Sequence, residues 1–150
     1  MDNNSKEKIE FEISRIEKLL SSSKPLFNLC KIQDPDFVEM TAVSQILHQF
    51  YNGIETVIIL FLKSINEKIP NDSSWHKSLL EIAFGRNSKN IIILRLDIKE
   101  QIGKYMYFRH LVRHSYSYEL KWNEMKVLVN DLEKIWKIIK EDFELFIENN

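Results

Sequence analysis

Apolar positions recur along this chain at the spacing of a helix face. Ile9, Ile13, Ile16 and Leu20 fall at i, i+4, i+7 and i+11. The serines Ser21 to Ser23 and then Pro25 are expected to end that first helix or bend it, since proline removes a backbone donor. Asp34-Pro35-Asp36 opens a second helix: an aspartate can cap the free amides, and proline suits a first turn. Glu39, three residues after Asp36, completes a capping box. Val43, Ile46, Phe50, Ile54, Val57 and Phe61 then form a long stripe, broken by Pro70 and Asn71-Asp72. Gly53 lies inside that stripe and reads as a close helix contact rather than a break. Ser73 or Ser74 can cap a short third helix from Trp75 to about Phe84, and Gly85 to Asn90 reads as a loop. A fourth helix is expected from around Ile93. A fifth, with Asn123 as its candidate cap, runs to the end on Leu128, Leu132, Ile135, Ile139, Phe143 and Phe146. At about 25 residues it is nearly 40 Å long. With no internal repeat, low-complexity tract or linker, residues 1–150 are expected to form a single domain. The pattern predicts an all-α fold, an antiparallel bundle of four main helices plus one short helix.

Composition narrows the functions such a bundle can serve. Three Gly and three Pro leave few chain breaks, which favours long helices over many strands. Apolar residues make up 44% of the chain, enough for a real core. A net charge of −1 argues against coating a nucleic acid by bulk electrostatics, so any polyanion contact needs a local basic patch. The lone cysteine, Cys30, excludes an internal disulfide and reads as a small buried apolar residue in a reducing compartment. The polar N-terminus leads into no signal-peptide apolar region, and the strongest apolar run, Val57 to Leu62, is far short of the roughly 20 residues that cross a bilayer. A cytoplasmic protein without membrane contact is the expectation.

Local basic character appears in one place, Phe108-Arg-His-Leu-Val-Arg-His-Ser-Tyr116, at the C-terminal end of the fourth helix. No Asp or Glu lies between Glu100 and Glu119. At about 100° per residue, with Arg109 at zero, Arg113 lies near 40°, His110 near 100° and His114 near 140°. The four form one continuous basic sector. Tyr105, Phe108 and Val112, near 260° to 320°, face the core, and Tyr116 would sit near 340° if the helix lasts that long. Like charges one turn apart repel, and the helix dipole offsets only part of that cost. The sector therefore reads either as a solvated basic face or as a site awaiting an external anion. A guanidinium that holds phosphate and an imidazole that moves protons near neutral pH suit phosphodiester cleavage. His110 and His114 have the spacing of a two-histidine metal site, but no acid or cysteine is near in sequence to complete one, so no metal and no other cofactor is expected. His48 and His76 also lack ligand-type neighbours and are assigned to packing or surface. There is no Gly-rich phosphate loop, which disfavours an NTP hydrolase.

Arg109, His114 and Tyr116 together resemble the Arg-x4-His-x-Tyr signature of HepT-like toxins in the HEPN superfamily. Tyr51-Asn52-Gly53-Ile54-Glu55, Trp75-His76-Lys77 and Trp122 resemble the same branch, so the likeness extends from about Gln45 to the C-terminus. Ser115 departs mildly from it, since many relatives carry Gly or Ala there. The resemblance implies a HEPN-like bundle that forms a homodimer, with two signature helices meeting at one cleft. It implies a metal-independent endoribonuclease acting on RNA and leaving a cyclic phosphate. It also implies a small nucleotidyltransferase antitoxin as partner, which adds AMP to the signature tyrosine. On this basis Arg109 and His114 are the expected catalytic pair and Tyr116 the expected AMPylation site. His110 either positions phosphate or hydrogen-bonds at the dimer face, and Arg113 either contacts RNA or forms a surface ion pair. A non-catalytic HEPN bundle that binds a nucleotide or a protein is the alternative. A purely structural helical oligomer would leave the basic sector unexplained.

Overall fold

The computed structural model describes Met1–Asn150. It is all-helical, with α1 (Asn3–Ile32), α2 (Phe37–Ser64), α3 (Trp75–Ala83), α4 (Lys99–His114) and α5 (Trp122–Asn149). Two short 3-10 turns, Leu96–Ile98 and Ser117–Glu119, flank α4. The expected four long helices and one short one are all present.

Local chemistry sets most of the boundaries. Asp36 caps α2: its side chain accepts from the Glu39 amide at 2.8 Å while Glu39 accepts from the Asp36 amide at 3.0 Å, the reciprocal box expected from the sequence. Only four residues join α1 to α2, so the two pack antiparallel. α5 returns alongside α1, with Lys140 Nζ 2.7 Å from Glu17 and the Met1 amino group bonded to the Asn150 carbonyl. α2 lies at the centre and touches each of the other four helices. Its Phe50 ring meets Tyr105 and Trp136 edge-on, and Phe61 meets Phe143 and Phe146. Cys30 is buried, and desolvation pushes its thiol up, as befits an inert core residue. No helix is long and apolar enough to cross a membrane.

Three expectations need correction. α1 does not end near Pro25 but runs through it to Ile32. Proline deletes a single ladder donor, and the apolar face resumes beyond it with buried Phe27 and Cys30, so packing outweighs the lost bond. α4 begins at Lys99 rather than near Ile93. The Ile93 and Leu94 amides both donate to the Ala83 carbonyl, at 2.9 and 3.0 Å, and the Arg95 amide donates to Asp142 at 2.9 Å. Those bonds tie the segment to α3 and α5 ahead of the helix. The expected caps at the two later helices fail as well. Ser74 occupies the cap position of α3 without a side-chain bond, its own amide donating to Asp72, and Asn123 lies inside the first turn of α5 behind Lys121.

Gly53 sits at a close approach of α1 and α2, as its place in the stripe suggested. A Cβ there would lie 2.7 Å from Ile16 Cγ1 and 3.0 Å from its Cδ1. Ile16 is itself buried, and Cγ1 cannot swing away without moving the whole side chain. Gly53→Ala should therefore lose roughly 1–3 kcal/mol to overpacking, more than the ~1 kcal/mol that alanine adds to a helix interior. In an Ile16→Ala background the same change should become neutral or stabilising. Urea unfolding of the four proteins checks this, and additive effects would refute the contact.

Candidate active site

α4 carries Arg109 and His114 of the signature, but the fold gives them different surroundings. The core stripe of α4 is formed by Ile102, Tyr105 and Phe108, all buried, and Tyr105 donates its hydroxyl to the Leu128 carbonyl at 2.7 Å. Arg109 lies beside that stripe and turns inward toward α2, leaving its side chain only 12% exposed. His110, Arg113 and His114 are exposed on the far side. The single basic sector expected from the helix angles is thus divided into one anchored arginine and an open group of three.

Arg109 has partners that the stretch without acids did not suggest. Its Nε–H donates to Asn52 Oδ1 at 2.6 Å and lies 3.7 Å from Glu55 Oε1. The expectation of an unneutralised cluster is therefore wrong for Arg109, because the balancing charge comes from α2, more than fifty residues away in sequence. Its two Nη nitrogens donate to nothing within the chain, and neither is shut off from solvent. The guanidinium is thus held at Nε, with some solvent contact left at its Nη end.

Glu55 is the centre of this network. Its side chain is 5% exposed, and its second oxygen accepts from His76 Nδ1 at 2.7 Å, where α3 begins. Burial raises the Glu55 carboxyl above its ordinary range, against the opposing pull of His76 and Arg109. The Tyr51 hydroxyl, buried in the same place, is pushed up by desolvation and then by the charge of Glu55. His48 closes the other end. Its Nε2 lies 3.0 Å from Asn52 Nδ2, and its Nδ1 is buried without a partner. Because Asn52 Oδ1 accepts from Arg109, its amide nitrogen must be the donor to His48. His48 then accepts as a neutral ring, consistent with a pKa lowered by burial and by the nearby charges of Arg109 and Arg113.

Sequence reasoning alone assigns His48 and His76 to packing or surface and gives Asn52 and Glu55 no site role. The structure places all four in one network with Arg109. A signal was available: His48, Tyr51, Asn52 and Glu55 fall at i, i+3, i+4 and i+7, a stripe of groups able to hydrogen-bond along one helix face.

The exposed side of the site begins where α4 stops. The His110 and His114 rings lie 4.4 Å apart, centroid to centroid. Ser115 and Tyr116 take extended backbone angles, so Tyr116 lies off the helix rather than on the Arg109 edge of its core stripe. Its amide donates to Glu119 at 3.2 Å, and its ring, 72% exposed, stacks parallel to Tyr118 at 5.8 Å. At that exposure Tyr116 takes no part in the core.

These features define an all-helical bundle that presents a half-buried arginine, two neighbouring imidazoles and an open tyrosine at the end of one helix. A family model described as HepT-like protein matches residues 42–150, which takes in every residue of this site. The chain belongs to the HepT-like family, and its bundle is the HEPN helical fold of that family. Comparison with curated proteins and with solved structures gave no match.

The depressed pKa of His48 gives the network a pH signature. The folded state holds His48 neutral, whereas the unfolded chain protonates it near pH ~6.5. Its contribution to stability is therefore present above that pH and is lost as pH falls through the lower folded value. A His48→Gln variant keeps an acceptor for Asn52 but does not titrate. Its melting temperature should fall less than that of the wild type between pH 7 and pH 5. Parallel melting curves would show that His48 is not the group responsible.

Proposed function

We propose that this chain is a metal-independent endoribonuclease, the toxin of a toxin–antitoxin pair, which cuts RNA through Arg109 and His114. The observation that carries the reading is the one-sided anchoring of Arg109. With Nε–H tied to α2, its two Nη groups remain free to take a phosphate in a bidentate grip. Family membership supports the same class.

The chemistry needs a base and an acid. An imidazole takes the proton of the ribose 2′-hydroxyl, and the 2′-oxygen bonds to phosphorus. The bond from phosphorus to the 5′-oxygen breaks, and a protonated imidazole delivers its proton to that leaving oxygen. The products are a 2′,3′-cyclic phosphate and a 5′-hydroxyl. Arg109 stabilises the charge that builds on the phosphoryl oxygens. His114 takes one proton role, and a second His114 from a dimer partner takes the other. His110, whose ring touches that of His114, orients the phosphate, and exposed Arg113 contacts the RNA backbone.

Purified protein in chelator should cleave RNA to cyclic-phosphate ends. Arg109→Ala and His114→Ala should each lower the rate by about 100-fold or more, given the usual worth of such groups, and should relieve growth arrest on expression. The tie between Arg109 and Glu55 also suits a purely structural arginine in a non-catalytic binding bundle. Unchanged cleavage by both variants, or no cleavage by the parent, would favour that second reading.

The proposed partner is a small nucleotidyltransferase that modifies Tyr116. The exposed phenol oxygen attacks the α-phosphorus of ATP, pyrophosphate leaves, and the phenol gives up its proton. The attached AMP places a bulky anion beside the histidines and obstructs the cleft. Incubation with the proposed nucleotidyltransferase partner, Mg²⁺ and ATP should add the mass of AMP to the wild type and to Tyr118→Phe. Tyr116→Phe should gain none; equal labelling of both variants would move the site elsewhere.

A further inference from the structure

Nothing in the chemistry above accounts for the buried acid on α2. A carboxylate 5% exposed is a weak source of stability, because desolvation consumes much of what its ion pairs return. An apolar side chain would fill that position in α2 at less cost. The arrangement around Glu55 instead has a directional consequence for Arg109.

We propose that Glu55, Asn52 and His76 are positioning residues for the proposed ribonuclease, locking the Arg109 guanidinium so that its free edge faces the substrate phosphate. The proposal rests on the ribonuclease reading and adds residues from two further helices to it. A guanidinium is planar, and its five N–H groups point in fixed directions. Once Nε–H is held by Asn52 Oδ1 at 2.6 Å, with Glu55 Oε1 at 3.7 Å, the plane can no longer turn about the last side-chain bonds. Each tether is itself held. Asn52 donates to His48 at 3.0 Å, which fixes the amide with its oxygen toward Arg109. Glu55 accepts from His76 at 2.7 Å, which fixes the carboxylate from the opposite side. One rigid helix, braced by the start of another, thus holds one nitrogen and leaves the other two without a bond in the chain. A fixed guanidinium loses little freedom on gripping a phosphate, and a misplacement of about 1 Å can cost on the order of 100-fold in rate.

The test uses the full chain and two independent readouts. The first is solvent exchange of the Arg109 Nε–H proton, followed by nuclear magnetic resonance without substrate. The second is kcat and KM on a single-stranded RNA. Glu55→Gln should speed Nε–H exchange at least about tenfold and lower kcat about 10- to 100-fold, with KM little changed. Asn52→Ala should act in the same direction. His76→Asn, whose amide nitrogen can stand where Nδ1 stands, should restore most of the rate lost in His76→Leu. If folded Glu55→Gln keeps wild-type exchange and wild-type kcat while Arg109→Ala is inactive, the positioning role is wrong and the ribonuclease reading survives. If Arg109→Ala cuts RNA as the wild type does, the ribonuclease reading falls, and the catalytic purpose assigned to these residues falls with it. The exchange rates then still report whether Glu55 holds Arg109. Should Glu55→Gln not fold, Asn52→Ala and the His76 pair decide the question by the same two measurements.

Discussion

A carboxylate buried in the central helix is the constraint on which the arrangement depends. Glu55 lies on α2, the central helix that touches the other four. An isolated ion there would be far too costly to keep charged, so the fold must bring donors to it. The start of α3 supplies His76, and α4 supplies Arg109. Docking of these helices on α2 is therefore both apolar and polar: Phe50 meets Tyr105 edge-on in the core, while Arg109, four residues along α4, reaches Asn52 and Glu55 at its margin. Apolar packing alone tolerates small slides and rotations of one helix on another. The polar contacts fix which turn of α4 faces which turn of α2.

The same constraint explains what could be read from the chain and what could not. α2 was legible almost in full because its signals are local: an Asp36–Glu39 box at one end and a 3.6-residue stripe behind it. Gly53 was legible as a contact because the stripe continues on both sides of it. The start of α4 was not, since the pattern from Ile93 suits a helix and only Ala83 and Asp142, distant in sequence, tie that backbone down ahead of one. Pro25 misled in the opposite sense, as one missing donor weighs less than the burial of Phe27 and Cys30 beyond it.

The site divides along the same line. Helix angles place His110, Arg113 and His114 on one outward face, because that follows from a fixed turn per residue. They also place Arg109 beside the core stripe, but not what it meets there. Its partners come from a polar stripe on α2 that looks unremarkable beside so many apolar neighbours. Charge balance judged within one helix counts only local acids. Glu55 lies outside that window by fifty residues, yet within 3.7 Å in space.

Anchoring and access make opposite demands on a site, and this bundle meets them on opposite sides of one helix turn. The group proposed to hold phosphate is half-buried and fixed by hydrogen bonds, which removes the entropy that a surface arginine would lose on binding. The groups proposed to exchange protons or accept AMP must reach solvent and a partner, and they stand exposed just as α4 ends. The change to extended backbone at Ser115 is what separates the two proposed roles. Had the helix continued one more turn, Tyr116 would return toward the Arg109 edge, where its phenol would compete for the space the phosphate needs. Ending at His114, the helix leaves the tyrosine in the open, where the proposed modification would add negative charge near an arginine whose direction the interior has already set.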